Sequence, residues 1–332
     1  MTEPQQGLSY QEILAIARGA EAAGFEGFFR SDHFTSFPGP VGEPTTDAWA
    51  TLAGLARETS RVQLGALVSP VTFRIPGSFA KLVTTVDEMS GGRVEVGVGA
   101  GWNEREHIEL GIPYPADAAT RVDMLEEQLA ILVGLLDEPD GWSFDGEHWQ
   151  VRGSLFRPRF DGSQHRADGR RRPNIIVGGV GRPRSIRVAV RYADEYNVSS
   201  STPAEVAAIN ARIDAACEAA GRDPGTLRRS VMAGVLLGRD EAEFRSRAAA
   251  QVAMFHDDPA QAEAWMEERR DRWVVGTMDA ARARLAEYAA TGIDRMHAPG
   301  LHPARPRPRR PHGRAHRGLM GQRMRPIRRG GQ

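Results

Sequence analysis

The stretch "RVQLGALVSPVTFRIPGSFAKLVTTVDEMSGGRVEVGVGAG", residues 61–101, decides the fold. It opens with one β-rich run, RVQLGALVS, and closes with another, RVEVGVGAG. Between them PGSFAKLVTTVDEMS reads as an amphipathic helix that stops at Gly91-Gly92. The apolar residues of each run are nearly continuous rather than alternating, the pattern of a strand covered on both faces. Strand, helix and strand in that order form the unit of a parallel sheet covered by helices.

The same rhythm extends in both directions. Upstream, Ser9-x-x-Glu12 is a capping box that opens SYQEILAIARGAEAAG, a helix that Gly24 can end. EGFFR is then a short buried strand and TTDAWATLAGLARETS a helix. Downstream come the long amphipathic helix RVDMLEEQLAILVGLLD, strand PNIIVGG, helix PRSIRVAVRYA, strand DEYNVS, helix PAEVAAINARIDAACEAAG and strand SVMAGVLLG. Two helical stretches follow between Glu241 and Ala290. Residues 138–172 break the rhythm and read as an insertion, in which WSFDGEHWQV forms a hairpin turning at Asp145-Gly146. Six strands in β-then-α order fit a (β/α)8 barrel if one strand is missing at each end. The competing doubly wound sheet calls for G-x-G-x-x-G after its first strand; Gly97-Val98-Gly99-Ala100-Gly101 lies mid-chain with other spacing.

The chain has 332 residues, with 43 basic and 43 acidic side chains. The balance hides an asymmetry. No acidic residue follows Asp294, and ten arginines lie between His297 and Gln332, leaving an acidic body of 33 basic against 43 acidic residues. An acidic body argues against nucleic-acid binding. The single cysteine, Cys217, excludes a disulfide framework and reads as a buried thiol. No apolar run approaches a membrane span and MTEPQQGLSYQE is not a signal peptide, so a cytoplasmic protein is expected.

Candidate chemistry begins in FEGFFRSDHFTS, residues 25–36, where Asp32 and His33 stand at the end of a strand. Strand ends are where α/β enzymes keep reactive groups, and also where any protein places polar residues as the chain leaves the core. Imidazole titrates near neutrality and suits proton transfer. In IIVGGVGRPRS, Gly178, Gly179 and Gly181 free backbone N–H groups at a helix start, with Arg182 and Arg184 nearby, a combination suited to a phosphate.

GFFRSDHF, RVQLGALVSPVTFRIP, SGGRVEVGVGAGWNEREHIELGIP, RPNIIVGGVG and VRYADEYNV, taken in order, resemble the luciferase-like monooxygenase superfamily, and within it the oxidoreductases that use the deazaflavin coenzyme F420. The likeness runs from about Ser9 to Asp294. It implies a TIM barrel with the cofactor ring in the mouth at the strand C-termini. By this resemblance His33 is the acid/base beside the ring and Asp32 orients it or binds cofactor. Leu67 and Val68 are joined by a non-proline cis peptide that backs the ring. Gly99, Ala100 and Gly101 let backbone approach the ring, Asn103 bonds a cofactor hydroxyl or carbonyl, and Glu106 contacts cofactor or substrate. Gly178, Gly179, Gly181 and Arg182 hold its phosphate-bearing tail. No metal site is expected.

The ends depart from the family pattern. The first barrel strand is expected to be absent and TGIDRM to begin an eighth strand without its continuation or final helix, opening a gap two strands wide. The barrel domain is placed at 1–296. Residues 297–332, rich in Arg, Pro and Gly, read as a disordered basic tail, either a shifted reading frame or a nucleic-acid-binding arm. Low solubility and weak cofactor binding are expected from such an opening. The reaction expected is hydride transfer between F420 and a small organic substrate, with an FMN-dependent monooxygenase as the alternative and an inactive barrel with a nucleic-acid-binding tail as a third. Expected partners are the small-molecule substrate, a cofactor-reducing enzyme and a second copy in a homodimer; neither membrane nor nucleic acid is expected.

Overall fold

Local signals set the helices. Ser9 Oγ accepts from Glu12 N, and Ser9 N donates to Glu12 Oε2 at 2.8 Å, closing the capping box of α1 (Tyr10–Ala22). Thr202 and Glu205 repeat the device later in the chain. Gly91 ends its helix with φ +71°, a conformation that side chains with a Cβ resist. A computed structural model describes residues 1–38, 41–158, 172–255 and 262–300. The tail from 301 and much of the second half of the insertion lie outside the described residues.

After α1 the chain runs through β1 (Gly27–Arg30), α2 (Ala48–Glu58), β2 (Gln63–Pro70), α3 (Pro76–Ser90), β3 (Val94–Gly99), the short α4 (Glu104–Leu110) and α5 (Ala118–Asp137). The hairpin β4 (Trp142–Asp145) and β5 (Gln150–Ser154) interrupts it, with Gly146 N donating to Trp149 O at 3.0 Å across the turn. Then come β6 (Asn174–Gly179), α6 (Pro183–Tyr192), β7 (Glu195–Ser199), α7 (Pro203–Ala219) and β8 (Arg228–Met232). β9 (Val235–Gly238), α8 (Glu241–Phe255), α9 (Ala262–Arg270) and β10 (Val274–Thr277) form an excursion before α10 (Met278–Ala289) and β11 (Arg295–His297).

Seven strands make one sheet in the order β1-β2-β3-β6-β7-β8-β11, every neighbouring pair parallel. The sheet curls into a nearly closed barrel. At its seam Thr2 N donates to Phe29 O at 2.9 Å and Ser31 N donates to Thr2 O at 3.2 Å. On the other side Met1 N donates to Ala298 O at 3.0 Å and Gly300 N donates to Met1 O at 3.1 Å. The opening is therefore one strand wide, not two, and Met1–Thr2 lie in it. The expectation of a wider gap fails because Arg295, Met296 and His297 do pair, with Ser230, Val231 and Met232.

Side-chain alternation divides the interior from the shell. Phe28 points outward with Trp49, Leu64 and Phe79 into the main core between sheet and helices. Phe29 points inward and packs with Leu67 and Ile176 as an apolar layer inside the barrel. Below it, at the strand N-termini, lies a polar base of Glu95, Asn174, Glu195 and Arg295. Cys217 is fully buried.

The run SVMAGVLLG, read from sequence as one strand, divides into β8 and β9. Trp273 packs against the break so closely that any Cβ on Gly234 would collide with its indole. β9 pairs in parallel with β10, a strand inside a stretch read as helical, over a small second core of Leu236, Phe244, Trp265 and Val275. Among the described residues no helix is long and apolar enough to cross a membrane.

Candidate active site

Arg30, the last residue of β1, is fully buried and anchors the strand exit. Its guanidinium donates to Ser31 O, Thr46 O and the hydroxyls of Thr46 and Thr51 at 2.7–3.0 Å. Burial pulls its pKa down to about 10. The two residues beyond Ser31 then diverge. Asp32 turns into the wall, where Oδ2 accepts from Ser69 Oγ at 2.7 Å and Arg74 Nη1 at 2.5 Å. Ser69 Oγ itself accepts from Trp49 Nε1 at 2.9 Å. Arg74 also donates to Asp47 Oδ2 at 2.6 Å. Burial opposes the charge on Arg74, but the two carboxylates outweigh it and raise its pKa.

His33 turns the other way. Its Nδ1 lies 2.9 Å from Glu106 Oε1, and Phe34 N donates to Glu106 Oε2 at 3.0 Å. The carboxylate that orients the imidazole is thus Glu106, 1% exposed on α4, and not Asp32. Adjacent side chains project to different sides of a chain leaving a strand, so Asp32 cannot reach its neighbour's ring edge. A carboxylate only accepts, so Nδ1 carries a proton toward Glu106, and Nε2 is left with no hydrogen-bond partner among the described residues. The His33 side chain is 14% exposed and edge-on to Phe37 (ring centroids 4.4 Å apart) and Trp102 (5.9 Å).

α4 is locked in place by its own histidine. His107 Nδ1 donates to Asn103 O at 2.7 Å, and its Nε2 bonds Thr72 Oγ1 at 2.6 Å. Asn103 starts that helix, and its side-chain amide makes no hydrogen bond among the described residues. The Leu67–Val68 peptide is cis. A Cβ on Gly99 would lie 2.8 Å from Val68 Cγ2, and one on Gly178 would lie 2.9 Å from Val68 Cγ1. These glycines make room for Val68, whose half-buried side chain and that of Met232 form an apolar floor at the mouth. Ala100 is half-buried beside it, and Gly101 turns the chain with φ +75°.

Across the mouth the turn after β6 is fastened to Tyr196. Its hydroxyl accepts from Gly181 N at 2.9 Å and bonds Ser185 Oγ at 2.9 Å; a Cβ on Gly179 would collide with it. Gly179 therefore has a structural reason of its own. Arg182 stands at the start of α6 with its side chain exposed and makes no capping bond, whereas Arg184 is taken by an ion pair to Asp123.

His33, Glu106, Val68, Asn103 and the α6 turn thus gather at one end of the barrel. Arg30, Ser69 and Arg74 escaped the sequence reading. The lining fits a planar isoalloxazine-like ring with an anionic tail, offering an apolar floor, an amide at the rim and Arg182 at a helix start, but the Gly181 N–H, expected to be free, is taken by Tyr196.

A parallel barrel with His33, Glu106 and Asn103 gathered at the C-terminal ends of its strands defines the class of fold, an α/β barrel. The family profile described as luciferase-like monooxygenase matches residues 1–295, and the chain belongs to that family. It is similar to the pyrimidine monooxygenase RutA of Caulobacter segnis, 26% identical over 228 residues, which are 67% of this chain and 61% of that protein. An uncharacterised protein of Mycobacterium tuberculosis is 30% identical over 210 residues, 58% of this chain and 68% of that one. Among solved structures, an F420-dependent secondary alcohol dehydrogenase in complex with an F420-acetone adduct superposes with a TM-score of 0.74, 18% identity and coverage of 89% and 90%. The monooxygenase RslO1 from Streptomyces bottropensis follows at 0.72, 21%, 89% and 88%. At such identities the likeness is one of fold.

Proposed function

We propose that the protein is an oxidoreductase that moves a hydride between coenzyme F420 and a small organic substrate bearing a hydroxyl or carbonyl group, with His33 as its acid/base. The observation that carries this reading is the His33–Glu106 pair, which leaves Nε2 free at the barrel mouth. Nε2 accepts the substrate's hydroxyl proton in oxidation and returns it in reduction. Glu106 stabilises the imidazolium that forms and, held in turn by Phe34 N, keeps the ring from rotating. Val68 and Met232 would floor the cofactor ring, Ala100, Gly101 and Asn103 would line its edge, and Gly179, Gly181 and Arg182 would face its phosphate-bearing tail. F420, when bound there, supplies a two-electron carrier that exchanges hydride and does not activate oxygen. Leu67 and Val68 would give the mouth an apolar side against the bound ring.

A second reading, an FMN-dependent monooxygenase, is favoured by the sequence likeness to RutA. Fluorescence titration of the purified chain with F420 and with FMN separates the two. Saturating quenching by F420 and a much weaker response to FMN support the first; the reverse order replaces it with the second.

A further inference from the structure

Three rings meet at one corner of the mouth. His33 is edge-on to Phe37 and Trp102, and Phe37 and Trp102 are themselves perpendicular, with centroids 5.3 Å apart. The outermost ring is bare: Trp102 is 65% exposed on the loop between β3 and α4. An indole left in water beside a catalytic imidazole is apolar surface that a ligand can cover. Among the described residues the charges bordering this corner are all engaged. Asp32 is bound by Arg74, Arg74 also by Asp47, and Glu106 by His33. Arg105 donates to Ser36 O at 2.5 Å and to Thr35 Oγ1 at 3.3 Å, and lies 3.5 Å from Glu109. Among the described residues no free cation remains to pair with an anionic substrate here, and a carboxylate desolvated against three rings without a partner is strongly disfavoured.

We infer that the substrate subsite beside His33 is an aromatic corner walled by Phe37 and Trp102, selecting a neutral small alcohol or carbonyl compound with an apolar flank over an anionic one. The inference rests on the role of His33 given above. Phe37 and Trp102 are specificity residues: they hold the apolar flank while the hydroxyl meets Nε2.

Cyclohexanol and lactate test it, since each carries one secondary hydroxyl, flanked by methylenes in the first and by a carboxylate in the second. Binding to the full chain is followed by saturation-transfer NMR, and Trp102→Phe assigns the fluorescence response to that indole. Cyclohexanol is expected to saturate and to perturb emission that Trp102→Phe lacks, with lactate at least about ten-fold weaker. Phe37→Ala and Trp102→Ala are each expected to weaken cyclohexanol about ten-fold, the loss of one aromatic contact, with unchanged circular dichroism. Lactate binding as tightly, cyclohexanol failing to saturate, or affinity unmoved by both alanine variants overturns the assignment. Failure of the hydride-transfer reading shows separately, as absent F420 and FMN binding while cyclohexanol still binds.

Discussion

In the proposed reaction His33 and Glu106 divide the work between proton transfer and positioning, and substitutions separate the two. His33→Ala removes the proton acceptor and is expected to lower turnover at least 10²-fold while F420 affinity changes little; unchanged turnover in the folded variant would end the assignment. Glu106→Ala strips an acceptor from both His33 Nδ1 and Phe34 N, so it is expected to cost about 1–3 kcal/mol of stability in addition to activity. Glu106→Gln keeps an oxygen for one of the two and is expected to recover most of the stability and part of the rate. Gly179 tests the opposite kind of residue. Its missing Cβ leaves space for Tyr196 Oη, so Gly179→Ala should lower the melting temperature, and adding Tyr196→Phe, which removes that oxygen, should recover part of the loss. Strict additivity of the two changes in a double-mutant cycle would show that the hydroxyl is not the obstacle.

At the scale of elements, strands buried on both faces were legible because continuous apolar runs have few other uses, and a capping box marked where α1 begins. β10 was not legible: four residues between helical segments carry no period, and its partner β9 lies 39 positions earlier in register. His33 was legible as a candidate from its place at a strand end, but its carboxylate partner was not, since Glu106 is 73 residues away and Asp32 adjoins it in sequence. Arg74, 42 residues from Asp32, left no local trace either. Some junctions depend on single side chains. Glu21, near the end of α1, accepts from Arg61 N at 2.7 Å, Ser60 N at 2.9 Å and Val62 N at 3.1 Å, gathering the turn into β2. Those bonds, Arg61 foremost, hold its pKa down to about 2 from an ordinary 4.5. A folded-state pKa below the unfolded one adds stability above about pH 4.5 that is lost as pH falls through 2. Glu21→Gln should therefore melt lower than the parent at pH 7, with the difference shrinking between pH 4.5 and 2; a constant difference across that window would rule the linkage out.

On the scale of the whole molecule, the barrel is drawn together at its base by one arginine at the seam. Arg295 begins β11 and donates to Glu95 of β3 at 2.7 and 3.0 Å and to Glu26, just ahead of β1, at 2.5 and 3.2 Å; it also lies 3.4 Å from Glu195 of β7. It therefore spans the strand position that Met1 and Thr2 occupy for only two residues, and supplies across the seam part of what a full ladder of backbone hydrogen bonds supplies elsewhere. Glu195 is fully buried, and one of its oxygens has no hydrogen-bond donor among the described residues, so the nearby guanidinium is its chief compensation there. Burial raises the Glu195 pKa, but the His297 bond and the Arg295 charge outweigh it and keep the carboxylate ionised. Arg295→Met fills similar space without the charge and leaves two nearly buried carboxylates, Glu95 and Glu195, in one small volume. Removing one partner from such a cluster costs about 3–5 kcal/mol, far more than an exposed ion pair contributes. The expected outcome is a large drop in the denaturant midpoint together with faster hydrogen exchange in β1 and β11, the two strands flanking the seam. A loss below about 1 kcal/mol, the range of an exposed ion pair, would show that the base of the barrel is wet and that backbone pairing through Met1 and Thr2 closes the ring without help.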